Sequence, residues 1–538
     1  MKRYIITILA VFFVLTAGAQ QKKEQWTSLF DGKTLNGWKT LGGTAKFRVE
    51  KGEIVGETST TPGERINTFL CTEKEYGNFI LEFEFKCDEE MNSGVQFRAF
   101  FSDGLVRGYQ YEIDPSMVNY KAKPANLDDK GQIIADDTQP RSWTGGIYDE
   151  KRRGWLCDLT KNPDARAAFK PGQWNKGRIE AYKNGVRTYI NGVLASSMVD
   201  FMTPNGFIGL QAHWQPEYKK LEVRFRNINI QDLGLNDASA AETPDKFVDE
   251  WKDEKTGVIA QSYNDKGTYR LQVRKEGYLN VPPTATLDGK LSNNDITYSS
   301  TGWEAKFNNN VLEITGTDGF SFTGRKTNRK PPTLGAVPPE NAVVLFDGKD
   351  LSKWCGLEPK EWLKCGFEAS ETAELTPAGS IRVIPDKQSI ISKQVFGDVK
   401  HLHLEFRLLG EQTNGGVYMM SRWEFNIKDS WCQTKGDPNG AFGNVEGFPA
   451  DYNWALPPMA WQTMDIEMKA PVLNPDGTVK ENARLTMYLN GELMYRDVEV
   501  SATRGAGGGR TPIAAAGSVY LQEHGTPYDF RNIWLVEK

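Results

Sequence analysis

Alternation of apolar and charged positions with a period of two is the dominant pattern of this chain. Phe79-Ile80-Leu81-Glu82-Phe83-Glu84-Phe85-Lys86 alternates as a half-buried antiparallel strand does, and so does His401-Leu402-His403-Leu404-Glu405-Phe406-Arg407-Leu408. Further strands read at residues 177–182, 188–190, 207–213 and 221–230, with matching segments later in the chain. Asn191-Gly192 and Asn490-Gly491, each flanked by apolar residues, predict tight hairpin turns, because such turns need positive φ. Helical periodicity is almost absent. Many short strands between Gly, Asn and Pro turns predict an all-β chain of the β-sandwich or jelly-roll class.

The pattern occurs twice. Leu29-Phe30-Asp31-Gly32-Lys33-Thr34-Leu35-Asn36-Gly37-Trp38 returns as Leu345-Phe346-Asp347-Gly348-Lys349-Asp350-Leu351-Ser352-Lys353-Trp354. Asn92-Ser93-Gly94-Val95 returns as Asn414-Gly415-Gly416-Val417, Gly209-Leu210-Gln211-Ala212-His213 as Tyr520-Leu521-Gln522-Glu523-His524, and Phe225-Arg226-Asn227-Ile228 as Phe530-Arg531-Asn532-Ile533. A period this long means domain duplication rather than a solenoid. The predicted units are 20–235 and 340–538, with a small β-rich middle segment at 244–329 bounded by a small-residue linker and a proline-rich one. Within the middle segment, residues 267–274 and 311–314 alternate as strands, and no chemical motif sits there.

Composition adds where the chain works. Lys2 and Arg3, the apolar stretch from Ile5 to Leu15 and Ala17-Gly18-Ala19 predict a secretory signal peptide over 1–19, hence a periplasmic or secreted protein without a membrane span after cleavage. Six cysteines, three in each copy at positions that do not align, suit an oxidising compartment, but their pairing cannot be read from spacing. A net charge of −5 with interspersed signs gives no basic stripe, which argues against nucleic acid. Fifteen tryptophans suit sugar binding, since flat aromatic faces stack on pyranose rings, although Trp is also common in β cores.

Strand parity then sorts the polar residues by face. Val95 and Phe97 share the core side, which puts Gln96 and Arg98 on the other. Gln110, Glu112 and Asp114 oppose an apolar row, and Gln211 and His213 share a face with Gly209. If these strands are neighbours, Arg98, Glu112, Gln211 and His213 converge on one polar sheet face. Of four histidines, His213 and His524 occupy matched positions of the repeat, whereas His401 and His403 read as surface residues on a strand exterior. The Asp-Gly turns and the Phe-Arg-Asn segments read as structural.

Taken in order, Phe-Asp-Gly-Lys-x-Leu-x-x-Trp, Asn-Ser-Gly-Val-x-Phe-Arg, Gly-Tyr-x-Tyr-Glu-Ile, Gly145-Gly146-Ile147-Tyr148, Gln173-Trp174-Asn175, Gly-Leu-Gln-x-His and Phe-Arg-Asn-Ile resemble the 3-keto-glycoside 1,2-lyase and 3-keto-2-hydroxy-glucal hydratase family, also called the 3-keto-disaccharide hydrolase domain. The resemblance covers about 26–233 and 340–538. It implies a concanavalin A-like jelly roll, export, a 3-keto-glycoside substrate, and a functional link to an oxidoreductase that oxidises the sugar at C3. A C3 ketone acidifies the C2 proton, so the chemistry needs a base, a donor for the developing enolate oxygen and an acid for the leaving group. On this reading His213 or Glu112 is the base, Arg98 the enolate stabiliser and Tyr148 a proton donor, with Gln96, Gln110 and Gln211 binding substrate. In the second copy Met420 stands for Arg98, Phe442 for Tyr148, Asn426 for Glu112 and Glu424 for Gln110. Glu424, Gln522 and His524 are its candidate binding residues. The family pattern favours Glu at the Gln110 position, so both copies depart from it, and the first is expected to be the better catalyst.

Other readings compete. His213 with Glu112 or Asp114 offers ligands for a divalent metal assembled across strands. A conventional glycoside hydrolase wants paired carboxylates, and jelly-roll glucanases carry Glu-x-Asp-x-x-Glu. Glu112-Ile113-Asp114-Pro115 begins that motif, but Met117 stands where it should end. A non-catalytic pair of carbohydrate-binding domains is the third alternative. The matched histidines favour catalysis, since binding a neutral sugar needs no titrating group.

Overall fold

Each alternating segment pairs edge to edge with others of its kind, and its apolar row faces a second sheet. The structure, a computed structural model, describes residues 26–538 apart from 117–125, 128–132, 136–142, 216–218, 238–244, 293–294, 309–310, 359–363, 386, 434–449 and 502–512. The leader expected at 1–19, Met117 and Phe442 lie outside the described residues.

The first unit is a two-sheet sandwich. Its back sheet runs in the order Val193–Val199, Gly185–Ile190, Asn175–Tyr182, Asn78–Cys87, Glu222–Gly234, Glu53–Glu57 and Lys46–Glu50, with Thr27–Ser28 also paired to Glu222–Gly234. The facing sheet, called here the site sheet, runs Gly154–Cys157, Ile147–Glu150, Leu105–Ile113, Ser93–Ser102, Phe207–Ala212, Thr68–Thr72 and Trp38–Gly42. Between them Phe79, Leu81, Phe83 and Phe85 meet Val95, Phe97, Tyr109, Tyr111 and Leu210 in one buried core. Burying a large apolar side chain contributes about 1.5–3 kcal/mol, so this row alone fixes the register.

The second unit repeats the plan. Its back sheet runs Ala373–Leu375, Ile381–Val383, Tyr528–Glu537, Val399–Leu408, Gln462–Lys469, Ala483–Leu489 and Glu492–Val500, and its site sheet Cys365–Glu368, Trp354–Leu357, Ile390–Ser392, Tyr520–Leu521, Asn414–Met419 and Trp423–Lys428. Where the first unit continues beyond Leu105–Ile113 into the hairpin Ile147–Cys157, the described second sheet ends at Trp423–Lys428. The Phe-Arg-Asn segments serve the back sheets. Arg226 Nε donates to Glu84 at 2.7 Å and lies 3.9 Å over Trp174, while Arg531 Nε donates to Glu405 at 2.6 Å and lies 3.8 Å over Trp461.

The middle segment is a closed barrel of eight antiparallel strands between Glu250 and Lys326, filled by residues such as Leu271, Val273, Leu287, Leu312 and Phe322. It wedges between the sandwiches. Asn264 Nδ2 donates to the Ser197 carbonyl of the first at 2.9 Å, and the Trp431 indole N–H of the second donates to the Ser262 carbonyl at 2.9 Å. The sandwiches also touch directly, through Phe201 N–H to the Leu409 carbonyl at 2.8 Å. One disulfide, Cys355–Cys365, links adjacent strands of the second unit, and Cys71, Cys87, Cys157 and Cys432 are buried thiols. Among the described residues no helix is long and apolar enough to cross a membrane.

Candidate active site

The Asn-Ser-Gly-Val segment organises the polar face of the first site sheet. Gly94 sits opposite Glu112, and a Cβ there would meet Gln110 Cδ at 2.4 Å, so glycine lets the Gln110 side chain lie flat across it. Ser93 Oγ donates to the Gln211 carbonyl at 2.7 Å and ties in the next strand. A chain of amides follows: Gln96 Nε2 donates to Gln110 Oε1 at 2.9 Å, and Gln110 Nε2 donates to Glu112 Oε2 at 2.9 Å. Asn92 Nδ2 donates to the other Glu112 oxygen at 2.5 Å.

Asn92, Gln110 and Glu112 of this chain open into a cleft of about 280 Å³, lined also by Asn67, Tyr148, Glu150, Lys151, Trp155, Gln211, His213 and Trp214, whereas Gln96 lies buried behind it. Burial, reinforced by the Asp114 carboxylate and opposed by the two amide donors, pushes Glu112 up to about 8. Burial likewise raises Glu150 and Tyr148. His213 moves the other way, since burial disfavours its charged form and lowers its pKa below the ordinary 6.5. Its Nδ1 faces the Trp214 carbonyl at 2.6 Å, so Nδ1 carries the hydrogen and Nε2 keeps the lone pair. At neutral pH the cleft therefore holds a protonated carboxyl and a neutral imidazole.

Gln211 is fully buried, yet neither its Oε1 nor its Nε2 has a protein partner, and Gln96 Oε1 lacks one too. Buried polar groups are almost always satisfied, and Gln211 lines the cleft, so its amide points to a polar ligand or water there. Tyr148 and Trp155 pack at 5.0 Å between ring centres on one wall, and Trp214 stacks on His213 on another. The hairpin carrying Tyr148 and Trp155 is held from outside. Arg153 pairs with Asp149 and Asp200 at 2.7 Å each and donates to the Glu411 carbonyl of the second sandwich, while Gln412 Nε2 donates to the Trp155 carbonyl at 3.2 Å.

Arg98 is not in the cleft, which corrects the parity argument. Its backbone adopts φ +46° in a bulge that shifts the pairing between Phe97 and Phe100, so alternation breaks at this residue. The side chain is fully buried, and its guanidinium donates to the carbonyls of Gly77 at 2.8 Å and Lys183 at 2.7 Å. Gly108 and Gly206 were the available signal: a Cβ on either would run into the Ala99 backbone, at 2.9 Å and 2.3 Å. Glu150, Lys151, Asn67, Asn92, Trp155 and Trp214 were missed. Glu150 shares strand parity with Tyr148, and Trp214 directly follows the histidine. Nor do His213, Glu112 and Asp114 bring three ligand atoms together for a metal, whereas among the described residues His401, His403 and Asp465 do. Asp114 instead accepts from the Ser116 hydroxyl and backbone N–H.

On the second site sheet Glu424 lies opposite Tyr418, as Gln110 lies opposite Gln96, and a Cβ on Gly416 would meet Glu424 Oε1 at 2.5 Å. Gln522 Nε2 donates to the Tyr418 hydroxyl at 2.9 Å, and the Tyr418 ring packs edge-on against Tyr520 at 4.6 Å. His524 is exposed, 3.3 Å from Asn414 Nδ2. The second face therefore has an aromatic side chain where the first has the outer amide of its chain.

The chain is 26% identical over 170 residues to a 3-keto-disaccharide hydrolase of Bacteroides thetaiotaomicron, a match that takes in 30% of this chain and 54% of that protein. The chain thus spans about half the length of the curated relative it matches. Among solved structures, a candidate glycosyl hydrolase from Parabacteroides distasonis is 28% identical, with 37% of this chain and 85% of that one covered and a TM-score of 0.33. The carbohydrate-binding module CBM66 of Bacillus subtilis is 14% identical, with 36% and 96% covered and a TM-score of 0.23. A profile described as the 3-keto-alpha-glucoside-1,2-lyase-like domain matches residues 25–231 and again 341–536, the two sandwiches seen in the fold, and the chain belongs to that carbohydrate-active family in two tandem copies.

Proposed function

We propose that the first sandwich is an exported enzyme that cleaves glycosides bearing a ketone at C3 of the sugar. The observation that carries this reading is the opposed protonation of His213 and Glu112 across one cleft, which supplies a base and an acid at the same pH. His213 Nε2 removes the C2 proton. The electron pair enters the enolate, whose oxygen is met by the unpartnered Gln211 amide and by Lys151. Collapse of the enolate restores the C3 ketone, forms the C1–C2 double bond and expels the C1 substituent, whose oxygen takes the Glu112 proton. Water then adds in the reverse sense: Glu112 accepts its proton as oxygen bonds to C1, and His213 returns a proton to C2. The net result is hydrolysis. Tyr148, Trp155 and Trp214 form the walls on which the sugar rests.

Such a substrate must come from an oxidoreductase acting on the C3 hydroxyl. Export rests on the basic and apolar leader, and the Cys355–Cys365 bridge suits an oxidising compartment. The second sandwich reads as a sugar-binding domain, with Glu424 and Gln522 as its polar contacts. The test is to incubate the purified full chain with a 3-keto-glucoside and with its unoxidised parent and to follow release of the aglycone by mass spectrometry. Release from the keto compound alone is expected. Cleavage of the parent would make the protein a conventional glycosidase, and saturable binding of both without turnover would make it a binding protein.

A further inference from the structure

The back sheet of the second sandwich carries a group of side chains that the proposed chemistry does not use. His401 and His403 alternate along Val399–Leu408, and Asp465 lies directly opposite His403 on Gln462–Lys469. His403 is fully buried, not a surface residue as strand parity suggests, because the proline-rich linker folds over this face. Thr333 Oγ1 of that linker donates to Asp465 at 2.8 Å, Gly335 N–H donates to Glu405 at 2.6 Å, and Asn532 Nδ2 donates to the Ala336 carbonyl at 2.9 Å.

His401 Nε2 and His403 Nδ1 both point at the same carboxylate oxygen, Asp465 Oδ1, at 2.8 and 2.7 Å. Two imidazole nitrogens thus close on one carboxylate oxygen, and the three potential ligand atoms lie within 4.8 Å of one another. Each side chain is oriented by a further partner: Trp534 stacks on His403 at 5.1 Å and meets His401 edge-on at 4.9 Å, Glu405 lies 3.8 Å from His403 Nε2, and Thr333 holds the second Asp465 oxygen. Carboxylates and hydroxyls behind the ligands are the usual means of fixing imidazole orientation at a metal. The fourth side is open: a cleft of about 610 Å³, lined among others by Thr333, Lys400, His401, Asp465 and Tyr488, reaches the cluster.

The first sandwich shows that the sheet does not need this group. At the register of His403 and Asp465 it has Glu82 and Arg178, joined by an ordinary ion pair at 2.7 Å. The register of Glu405 is kept as Glu84, paired with Arg226 as Glu405 is with Arg531. What differs is the replacement of Ile80, Glu82 and Arg178 by His401, His403 and Asp465.

We infer that His401 Nε2, His403 Nδ1 and Asp465 bind one first-row divalent cation of the zinc class, with the fourth coordination position facing the cleft. Nitrogen and oxygen ligands of this number are those of open zinc sites, and at bond lengths of about 2.0–2.2 Å tetrahedral ligands stand roughly 3.3 Å apart. Binding therefore requires each imidazole nitrogen to draw back from Asp465 Oδ1 by about half an ångström, within reach of small χ rotations.

The experiment uses the untagged full-length mature chain, stripped with a chelator and titrated with Zn²⁺ by calorimetry, alongside His401→Ala, Asp465→Asn and His213→Ala. His401 is more than a third exposed, so its substitution leaves the core intact, and equal melting temperatures of stripped wild type and His401→Ala check this. One ion per chain is expected, with affinity reduced at least tenfold in His401→Ala and Asp465→Asn and unchanged in His213→Ala. Co²⁺ loaded in place of Zn²⁺ should give visible absorption in the wild type that His401→Ala loses. No binding by the wild type, or equal binding by wild type and His401→Ala, would overturn the site and leave the cluster a hydrogen-bonded anchor for the linker.

Discussion

Replacing Glu112 by Gln separates the energetic cost of the candidate acid from its use. The carboxyl has a pKa of about 8 in the folded protein against an ordinary 4.5. A raised acid pKa means that stability is fully present below about 4.5 and is lost progressively as pH rises towards 8, because the unfolded chain ionises freely while the folded one resists. At pH 7 the group sets folding back by about 3 kcal/mol, 2.5 pH units at 1.36 kcal/mol each. Glu112→Gln removes that penalty without losing hydrogen bonds. Gln110 and Gln96 can turn their amides over together, since the outer Gln96 Oε1 has no partner to lose. The variant should therefore be more stable than the wild type at pH 7, by an advantage that grows by about 1 kcal/mol per pH unit between 6 and 7.5, while turnover falls by about 10²–10⁴. Urea unfolding of both proteins at pH 5, 6, 7 and 8 is the assay. Three packed units need not unfold in one step, so the difference between the two proteins is the quantity to read. A difference that does not change with pH would show that Glu112 ionises normally and refute its role as the acid.

Four other outcomes follow from the same geometry. His213→Ala should lower kcat by about 10²–10⁴ with little change in KM, and in the wild type kcat/KM should fall below a pKa under 6.5 as His213 protonates and again above about 8 as Glu112 ionises. Gly94→Ala should abolish activity by driving Gln110 off its resting place, with circular dichroism unchanged. Arg98→Met, the residue that the second copy has at this position, should cost about 1–3 kcal/mol for each carbonyl left without its donor, seen as a lower melting temperature, with kcat kept. Gln412→Ala in the second sandwich should raise KM by loosening the Trp155 wall, without altering the pH profile.

Much of this was legible in the chain because burial writes a period of two. The rows at Phe79 and Leu402 gave the strands, and the duplicated segments gave the two sandwiches. Parity also placed Gln110, Glu112, Gln211 and His213 together, since nothing interrupts alternation along those strands. It failed at Arg98, where a bulge set by packing against Gly108 and Gly206 turns the side chain into the interior. It failed at His403 for a different reason: the strand exterior is real, but a linker some seventy residues away in sequence covers it. The Ile147–Cys157 hairpin was not recognised as a wall, because its position depends on Arg153, Asp200 and the second sandwich. Contacts between distant segments leave no local period to read.

The most direct test of the central claim is the fate of deuterium at C2 of a 3-keto-glucoside. Elimination and rehydration at His213 and Glu112 predict that the released sugar carries solvent hydrogen at C2, while substrate recovered at partial conversion retains its label. A product that keeps the deuterium, with no primary isotope effect on kcat/KM, would mean direct displacement at C1 and would contradict the account.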